Sequence, residues 1–590
     1  MLFNNTLKNL SILFLALSAY NVTAEELTTK TQQSRVIEED SAATAATEWD
    51  TEQFGALAKT TLKEITTQLK EKEIPTHKLK LYFTENAQST LLAPTHLQTV
   101  MKKKGITVAR TQKIDGTLSP DPVKNIQTWI SQTKLTEATT RFTWKLYKVE
   151  KNNDKPNVYL TRQFLETSYI SKHSIKTIHS DWKIEWVKVE GKAKISKIWL
   201  QSYEEITAAK RLFTDVSQTV FGKTSAWKEQ LTLSQTDWQG RLERSFIRNY
   251  FGFNGLAVGD LNNDGLDDIY LCQPGGLPNR VFYQNPDGTV REGSLDSDLA
   301  ALNESGSALI LDIDNDGDQD VALQTKEAFV LFENLGGEKF KHVNSIKHAG
   351  QGYTMAATDY NNDSKIDFYI TRYYKVGDHG TSIASPIPYF DANNGGQNIL
   401  LLNQGDWKFR DVTQEVGLNQ DNSRFSYSAS WEDYDQDGDS DLFVANDFGK
   451  NCLYRNDSDK GVFTNVTKEL GLETSSFSMG VAWGDANRDG RPDLYVSNMF
   501  SAAGNRIAFQ KQFMPHATSN SRKSLQFTSQ GNVLYIQKED GTFENQVYSS
   551  GTRQGRWSWG ARFIDANGDG WEDIYVPNGF VSSEKSAPDL

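Results

Sequence analysis

Residues 312–320 read Asp312-Ile313-Asp314-Asn315-Asp316-Gly317-Asp318-Gln319-Asp320, with oxygen-bearing side chains at positions 1, 3, 5 and 9 and glycine at position 6. The same nine-residue spacing recurs five more times along the chain. The other copies carry Asp260, Asn262, Asp264 and Asp268, then Asp359, Asn361, Asp363 and Asp367, then Asp433, Asp435, Asp437 and Asp441. Two more follow, Asp485, Asn487, Asp489 and Asp493, and Asp565, Asn567, Asp569 and Asp573. Calcium takes six to eight hard oxygen ligands at about 2.3–2.6 Å. A tight loop can aim side chains 1, 3 and 5 at one centre, add the carbonyl of position 7, and close the shell with the carboxylate at 9. Glycine at 6 permits the sharp turn at positive φ. The expectation is up to six structural Ca2+ ions, with these 24 side chains as ligands. Ser364 replaces the glycine in the third copy and makes it the weakest predicted site.

The flanks exclude an EF-hand. That motif sits between helices and ends on a Glu at position 12. Here an apolar strand precedes each loop, as in Ser307-Ala-Leu-Ile-Leu311, and another follows, as in Leu494-Tyr-Val496. The unit is therefore a strand–loop–strand hairpin. Two further phrases repeat. Asn398-Ile-Leu-Leu-Leu-Asn403 matches Asn451-Cys-Leu-Tyr-Arg-Asn456, and Phe409-Arg-Asp-Val-Thr413…Gly417-Leu418 matches Phe463-Thr-Asn-Val-Thr467…Gly471-Leu472. These supply a third and a fourth strand, so each repeat predicts a four-stranded propeller blade.

These residues resemble the FG-GAP/VCBS repeats of integrin-α-type propellers. The added Phe-x-Asp-Val-Thr…Gly-Leu phrase is similar to that of the cartilage acidic protein (ASPIC/UnbV-associated) family. The resemblance covers roughly 211–590 and implies a mostly β fold, a calcium-loop β-propeller. Six blades follow from six loops, and a seventh built from 220–250 is the alternative count. The last blade has only its first two strands, and residues 211–217 are expected to complete it and seal the ring.

Two insertions, near 375–397 and 500–531, fall between strands two and three. They leave the sheets at the end opposite the calcium loops, the face predicted to meet a protein or glycan ligand. Tyr373, Tyr374, Tyr389, Phe390 and the Asn393-Asn394-Gly395-Gly396 turn fit either a recognition loop or a brace over the channel. Cys272 and Cys452, the two cysteines of the chain, fall in opposite blades and are expected to stay unbridged.

Charge separates the larger half from what precedes it. Residues 25–250 carry a net +8 and residues 251–590 a net −22, which with Lys8 sum to the −13 of the whole chain. Residues 1–24 read as a signal peptide, with Lys8, an apolar run Leu10–Ala19 and small residues before a cut after Ala24. Residues 25–49 read as a flexible linker. Residues 50–210 predict an α+β domain preceding the propeller. An amphipathic helix runs over 51–72 and a second over 121–132, and alternating strands run over 140–149, 181–189 and 193–200, the first two tryptophan-rich. Helices followed by a strand meander resemble an NTF2-like fold. The Lys102-Lys103-Lys104 run is expected to be solvated.

The overall negative charge argues against nucleic acid as a partner. No apolar stretch after the leader is long enough to cross a bilayer. The resulting picture is an exported, monomeric calcium-binding protein, periplasmic, cell-surface or extracellular, that acts in binding or adhesion. An exported enzyme, with its site in the 50–210 domain or over the propeller channel, and a structural envelope component are the alternatives. With no nucleophile motif or histidine cluster, no catalytic residue and no organic cofactor is assigned.

Overall fold

A computed structural model describes residues 50–71, 76–133, 139–170, 174–211, 213–234, 237–238, 240–243, 254–347, 352–375, 385–457, 462–510 and 513–579. The expected leader and linker, and part of the 375–397 insertion, lie outside the described residues. The chain divides into two units, one made of residues up to Arg211 with Asn505–Pro515, the other of Leu212–Gly504 with His516 onward. No helix among the described residues is long and apolar enough to cross a membrane.

The first unit packs two main helices on one sheet. Asp50–Leu69 buries Phe54, Ala58, Leu62, Ile65 and Leu69, one stripe at helical spacing. Pro122–Thr133 starts after Asp121, whose carboxylate accepts the Lys124 N–H at 3.0 Å while Pro122 occupies the first turn. The seven-stranded sheet runs in the order 98–103, 106–110, 192–208, 175–189, 158–170, 139–151, with 83–89 parallel to 192–208. Trp182, Ile184, Trp186, Ile195, Ile198 and Leu200 fill its inner face. The Trp182 ring lies 5.4 Å from both Trp129 and Trp144. Lys102 and Lys103 end the strand of a hairpin whose turn is Lys104-Gly105, both at positive φ.

Residues 505–515 belong to this first unit, which corrects their expected place in a ligand-facing insertion. The Arg506 guanidinium explains why. It is buried, meets Glu52 through Nε at 3.1 Å and Nη2 at 2.8 Å, and donates from Nη1 to the Leu146 carbonyl at 2.9 Å. Lys59 shares the neighbourhood. Its burial, with Arg506 adding to the effect, holds its ammonium down at about 8.

The second unit is mostly β. Five four-stranded antiparallel sheets follow in chain order, each a simple meander, and a hairpin ends the series. Sheet one is 256–259, 268–271, 280–284 and 290–292, and sheet two is 305–311, 320–325, 328–334 and 340–347. Sheet three is 355–358, 367–370, 399–403 and 409–411, and sheet four is 425–432, 441–448, 452–457 and 462–465. Sheet five is 478–484, 493–498, 533–537 and 543–545, and the last hairpin pairs 562–564 with 573–575. The six expected hairpins are therefore present, and the last has two strands among the described residues.

The sheets stack face to face. Five apolar clusters of this stack each draw on two successive sheets, as Tyr270, Val281 and Tyr283 of sheet one pack with Val321 and Leu323 of sheet two. The same pairing joins two with three, three with four, four with five, and five with the last hairpin. The first strand of each sheet lies beside the first strand of the next, from 256–259 through 562–564. Second strands are consequently covered on both faces, and 320–325 and 493–498 are buried at every residue.

The expected sealing strand does not form among the described residues. Residues 213–216 are irregular, although the Phe213 ring lies 5.8 Å from Tyr575 of the last hairpin. Residues 217–221 and 227–231 are helical, so the described part of 220–250 adds no sheet for a seventh blade. Both cysteines are buried and free, as expected.

Replacing Arg506 with methionine would leave the Glu52 carboxylate and the Leu146 carbonyl without their donor. The expected loss is about 3 kcal/mol. Urea unfolding followed by tryptophan fluorescence should show it, with a smaller loss for Glu52→Gln.

Candidate calcium loops and the opposite aromatic end

Each predicted loop joins the first two strands of its sheet, and all six share one hydrogen-bond pattern. The first-position carboxylates Asp260, Asp312, Asp359, Asp433, Asp485 and Asp565 accept the N–H groups of positions 5 and 6 at 2.7–3.1 Å. The fifth-position carboxylates Asp264, Asp316, Asp363, Asp437, Asp489 and Asp569 accept the N–H of position 7 at 2.9–3.1 Å. Side chains 1 and 5 are thus aimed inward by their own backbone. Where position 3 is Asn262, Asn361 or Asn487, its carbonyl oxygen turns inward too, accepting the fifth-position N–H at 3.0–3.2 Å.

Two residues per loop adopt positive φ, where the sequence pointed only to position 6. The second is position 4, occupied by Asn263, Asn315, Asn362, Gln436, Arg488 and Gly568. Asparagine and glycine tolerate that conformation best, which is why they hold four of the six places. Ser364 takes φ 64° and donates its N–H to Asp359 at 2.7 Å, so the third loop closes as the glycine loops do.

The ninth carboxylate does a different job from the others. Asp268, Asp320, Asp367, Asp441 and Asp493 are all at most 1% exposed. In each, one oxygen accepts the N–H of loop position 2 at 2.9–3.4 Å. The other accepts a third-strand N–H at 2.7–2.9 Å, from Gln284, Asn334, Asn403, Asn456 or Gln537. Burial pushes these carboxyls up, Asp320 and Asp367 to about 7 and Asp441 to about 8, while the N–H bonds oppose the shift. Asp573 in the last hairpin, which has no third strand among the described residues, is met by the Asn567 amide at 3.3 Å.

The third-strand residue also reaches backward. The Asn334 amide donates to the Leu261 carbonyl of the preceding loop at 3.1 Å. Asn403 does the same to Ile313, Asn456 to Tyr360 and Gln537 to Tyr434, at 2.8–3.2 Å. Each of the first four loops is therefore held by its own sheet and by the next. The repeated Asn…Asn phrase was the sequence signal for this. Its first asparagine, Asn398 or Asn451, accepts the N–H of Arg372 or Asn446 where strand two leaves the sheet.

The donor set suits a hard cation. Asp312, Asp314 and Asp316 bring carboxylate oxygens within 4.8 Å of one another, as do Asp433, Asp435 and Asp441. These come from the two loops with aspartate at position 3. Burial and the neighbouring carboxylates raise Asp314 and Asp435, the mark of negative charge crowded without compensation.

The opposite end of the sheets is aromatic. Arg424, buried, pins the 385–397 segment by donating to Asp391 at 2.7 Å and to the Ala392 carbonyl at 3.3 Å. Gly395 passes so close that a Cβ there would meet the Arg424 and Tyr373 carbonyls at 2.7 and 2.9 Å. The segment so fixed sets the Tyr389 ring 5.0 Å from Phe448 and 5.8 Å from Phe477. Beneath it Tyr373 is buried and donates its hydroxyl to Asp447. Tyr374 is partly buried and Tyr389 38% exposed. Tyr373 thus lies within the brace and Tyr389 at its rim.

In the first unit the interior void is lined by apolar side chains, among them Leu62, Ile126, Trp129, Trp144 and Ile198. It brings no acid–base pair together.

These features define a protein built of strand–loop–strand repeats whose loops present oxygen atoms to a common centre. A model of the FG-GAP-like repeat matches residues 260–323, 312–370, 433–496 and 524–576, three of these segments starting at the first aspartate of a loop, so the chain carries FG-GAP-like repeats. It is similar to cartilage acidic protein 1 of Xenopus tropicalis, 27% identical over 271 residues, covering 41% of this chain and 40% of the relative. The Mus musculus protein of that name is 26% identical over 269 residues, with the same coverage. The match therefore spans about 40% of the length of these curated relatives. Among solved structures, an Agrocybe aegerita lectin specific for non-reducing terminal N-acetylglucosamine is 14% identical, with TM-score 0.32 over 54% of this chain and 73% of its own. The V. cholerae biofilm matrix protein Bap1 is 12% identical, with TM-score 0.28 over 50% of this chain and 38% of its own.

Asn403→Ala and Asn456→Ala each strip a buried amide from two carbonyls, one in the preceding loop and one in their own. Each should cost about 1–3 kcal/mol. The urea midpoint should fall accordingly, while Asp406→Asn, at an exposed turn whose positive φ asparagine tolerates, should leave it nearly unchanged.

Proposed function

We propose that the chain is an exported, calcium-stabilised β-propeller that works as a binding or adhesion protein toward a protein or glycan ligand. The observation that carries this reading is the identity of the six loops. The same inward set of oxygens is built six times from different neighbouring residues, and the loops gather at one end of successive stacked sheets. Calcium at these loops would pin the hairpins and offset the net −22 of residues 251–590, which otherwise repels itself. Successive four-stranded sheets that pack on one another and meet through their first strands fit propeller blades around an axis. Ligand contact belongs to the end that carries Tyr374 and Tyr389, because the metal loops occupy the other.

Sites that bind the folded chain and not the unfolded one stabilise it by mass action, about 2.7 kcal/mol for each site at a hundredfold excess over its Kd. Calcium added to chelator-treated protein should therefore raise the melting temperature by several degrees, and magnesium by less. Equal melting temperatures in calcium and in chelator would refute the calcium assignment. Arrays of glycans and extracellular proteins probed with calcium-loaded protein test the binding role. Ligands should be lost on Tyr389→Ala and retained on Asp406→Asn.

A further inference from the structure

Strand 441–448 begins at the buried loop carboxylate Asp441 and carries a second carboxylate, Asp447, six residues on. At about 3.3 Å per residue this places Asp447 roughly 20 Å away, at the aromatic end. Five tyrosines from four separate segments surround it. Tyr353 precedes the first strand of sheet three, Tyr373 and Tyr374 follow its second, Tyr389 comes from the pinned segment, and Tyr427 lies in the first strand of sheet four. Tyr373 hydrogen-bonds to the carboxylate, and the Asp447 charge is felt at each of the other four. Four of the rings form a continuous wall, Tyr353 lying 4.7 Å from Tyr427 and 5.0 Å from Tyr373, and Tyr373 4.6 Å from Tyr374.

What this wall lacks is a cation. Among the described residues no lysine, arginine or histidine forms an ion pair with Asp447. Asp391, by contrast, is met by both Arg424 and Lys450. A carboxylate withdrawn from water is costly unless it is paired. Asp447 and Tyr374 are partly buried, and Tyr389 is 38% exposed. Ring faces attract cations, alkylammonium groups above all.

We propose that Asp447 and the surrounding tyrosines form a recognition site for an ammonium group, either a lysine side chain of a protein ligand or a quaternary ammonium headgroup. The carboxylate supplies the counter-charge and the rings enclose the alkyl or methyl groups around the nitrogen. Tyr373 orients Asp447, and Tyr389 lies at the rim, where an incoming group meets it first. This site rests on the binding role proposed above and names the chemistry it recognises.

The test titrates the calcium-loaded full chain with N-acetyl-lysine methylamide, with choline, and with the neutral N-acetyl-norleucine methylamide, observed by NMR and calorimetry. Saturable binding of a cation without binding of the norleucine compound is expected. A preference for lysine identifies a side-chain ligand, and a preference for choline a quaternary headgroup. Asp447→Asn should weaken the preferred cation about tenfold or more, and Tyr389→Leu by about tenfold. Melting curves identify any variant that fails to fold. If Asp447→Asn is such a variant, the rim variant Tyr389→Leu still decides. Failure of both cations to bind, equal binding of the neutral compound, or unchanged affinity in Tyr389→Leu would overturn the proposal. If the arrays yield a ligand while neither cation binds, this site falls and the binding role stands. If a cation binds while the arrays stay empty, the reverse holds.

Discussion

A buried carboxylate that accepts two backbone N–H groups, one from its own loop and one from the third strand, sets the geometry of the second unit. In Asp320 the partners are Ile313 and Asn334, and in Asp441 they are Tyr434 and Asn456. The side chain closes the hairpin and fixes the register of the next strand at the same moment. Leaving a charge in that position is expensive, because burial raises its pKa and neighbouring aspartates add to the effect. The compensation is that the third strand starts its ladder from a defined point. Its amide then reaches the previous loop, so an error in one sheet would be passed to its neighbour.

The legible part of the fold follows from this economy of residues. Aspartate at position 9 stands out in every repeat, and the asparagines five residues apart in strand three stand out in sheets three and four, because exchanging them loses several bonds. Strands two and three, buried on both faces, read as apolar runs for the same reason. The positive φ at position 4 left a fainter trace, because Gln436 and Arg488 adopt it as well as asparagine. Helices 502–508 and 519–528 were not visible as such, being short and polar, with Thr518 capping the second through its hydroxyl. Nor was the placing of 505–515 in the first unit. It depends on one guanidinium finding Glu52 far away in sequence.

The first unit shows a different obstacle to reading. Strand 158–170 went unrecognised although it lies within the sheet. Its inner face is Tyr159, Thr161, Gln163, Leu165 and Thr167, so the apolar alternation that marks a half-buried strand is broken by three polar residues. Two of them are satisfied inside the core. Trp186 donates to Thr161 at 2.7 Å, Thr161 to Gln163 at 2.8 Å, and Gln163 to the Trp182 carbonyl at 2.9 Å. Tryptophan rings need such acceptors when buried. The tryptophan-rich strands that were legible therefore required a neighbour that was not.

The two ends of the sheets in the second unit follow opposite rules. At the loop end the first- and fifth-position carboxylates are bound to backbone N–H groups in all six loops, and substitutions at the third-strand amides are felt by two sheets at once. At the other end the strands are joined by segments of unequal length, and the side chains that meet come from sheets three, four and five without a common pattern. A repeat that is fixed at one end leaves the other free to differ from blade to blade. Asp447 shows the consequence, since the positions six residues past Asp268, Asp320, Asp367 and Asp493 are Pro274, Lys326, Tyr373 and Met499, none of them a carboxylate. A singular charge set among tyrosines within a regular scaffold is what specificity requires of a repeat protein.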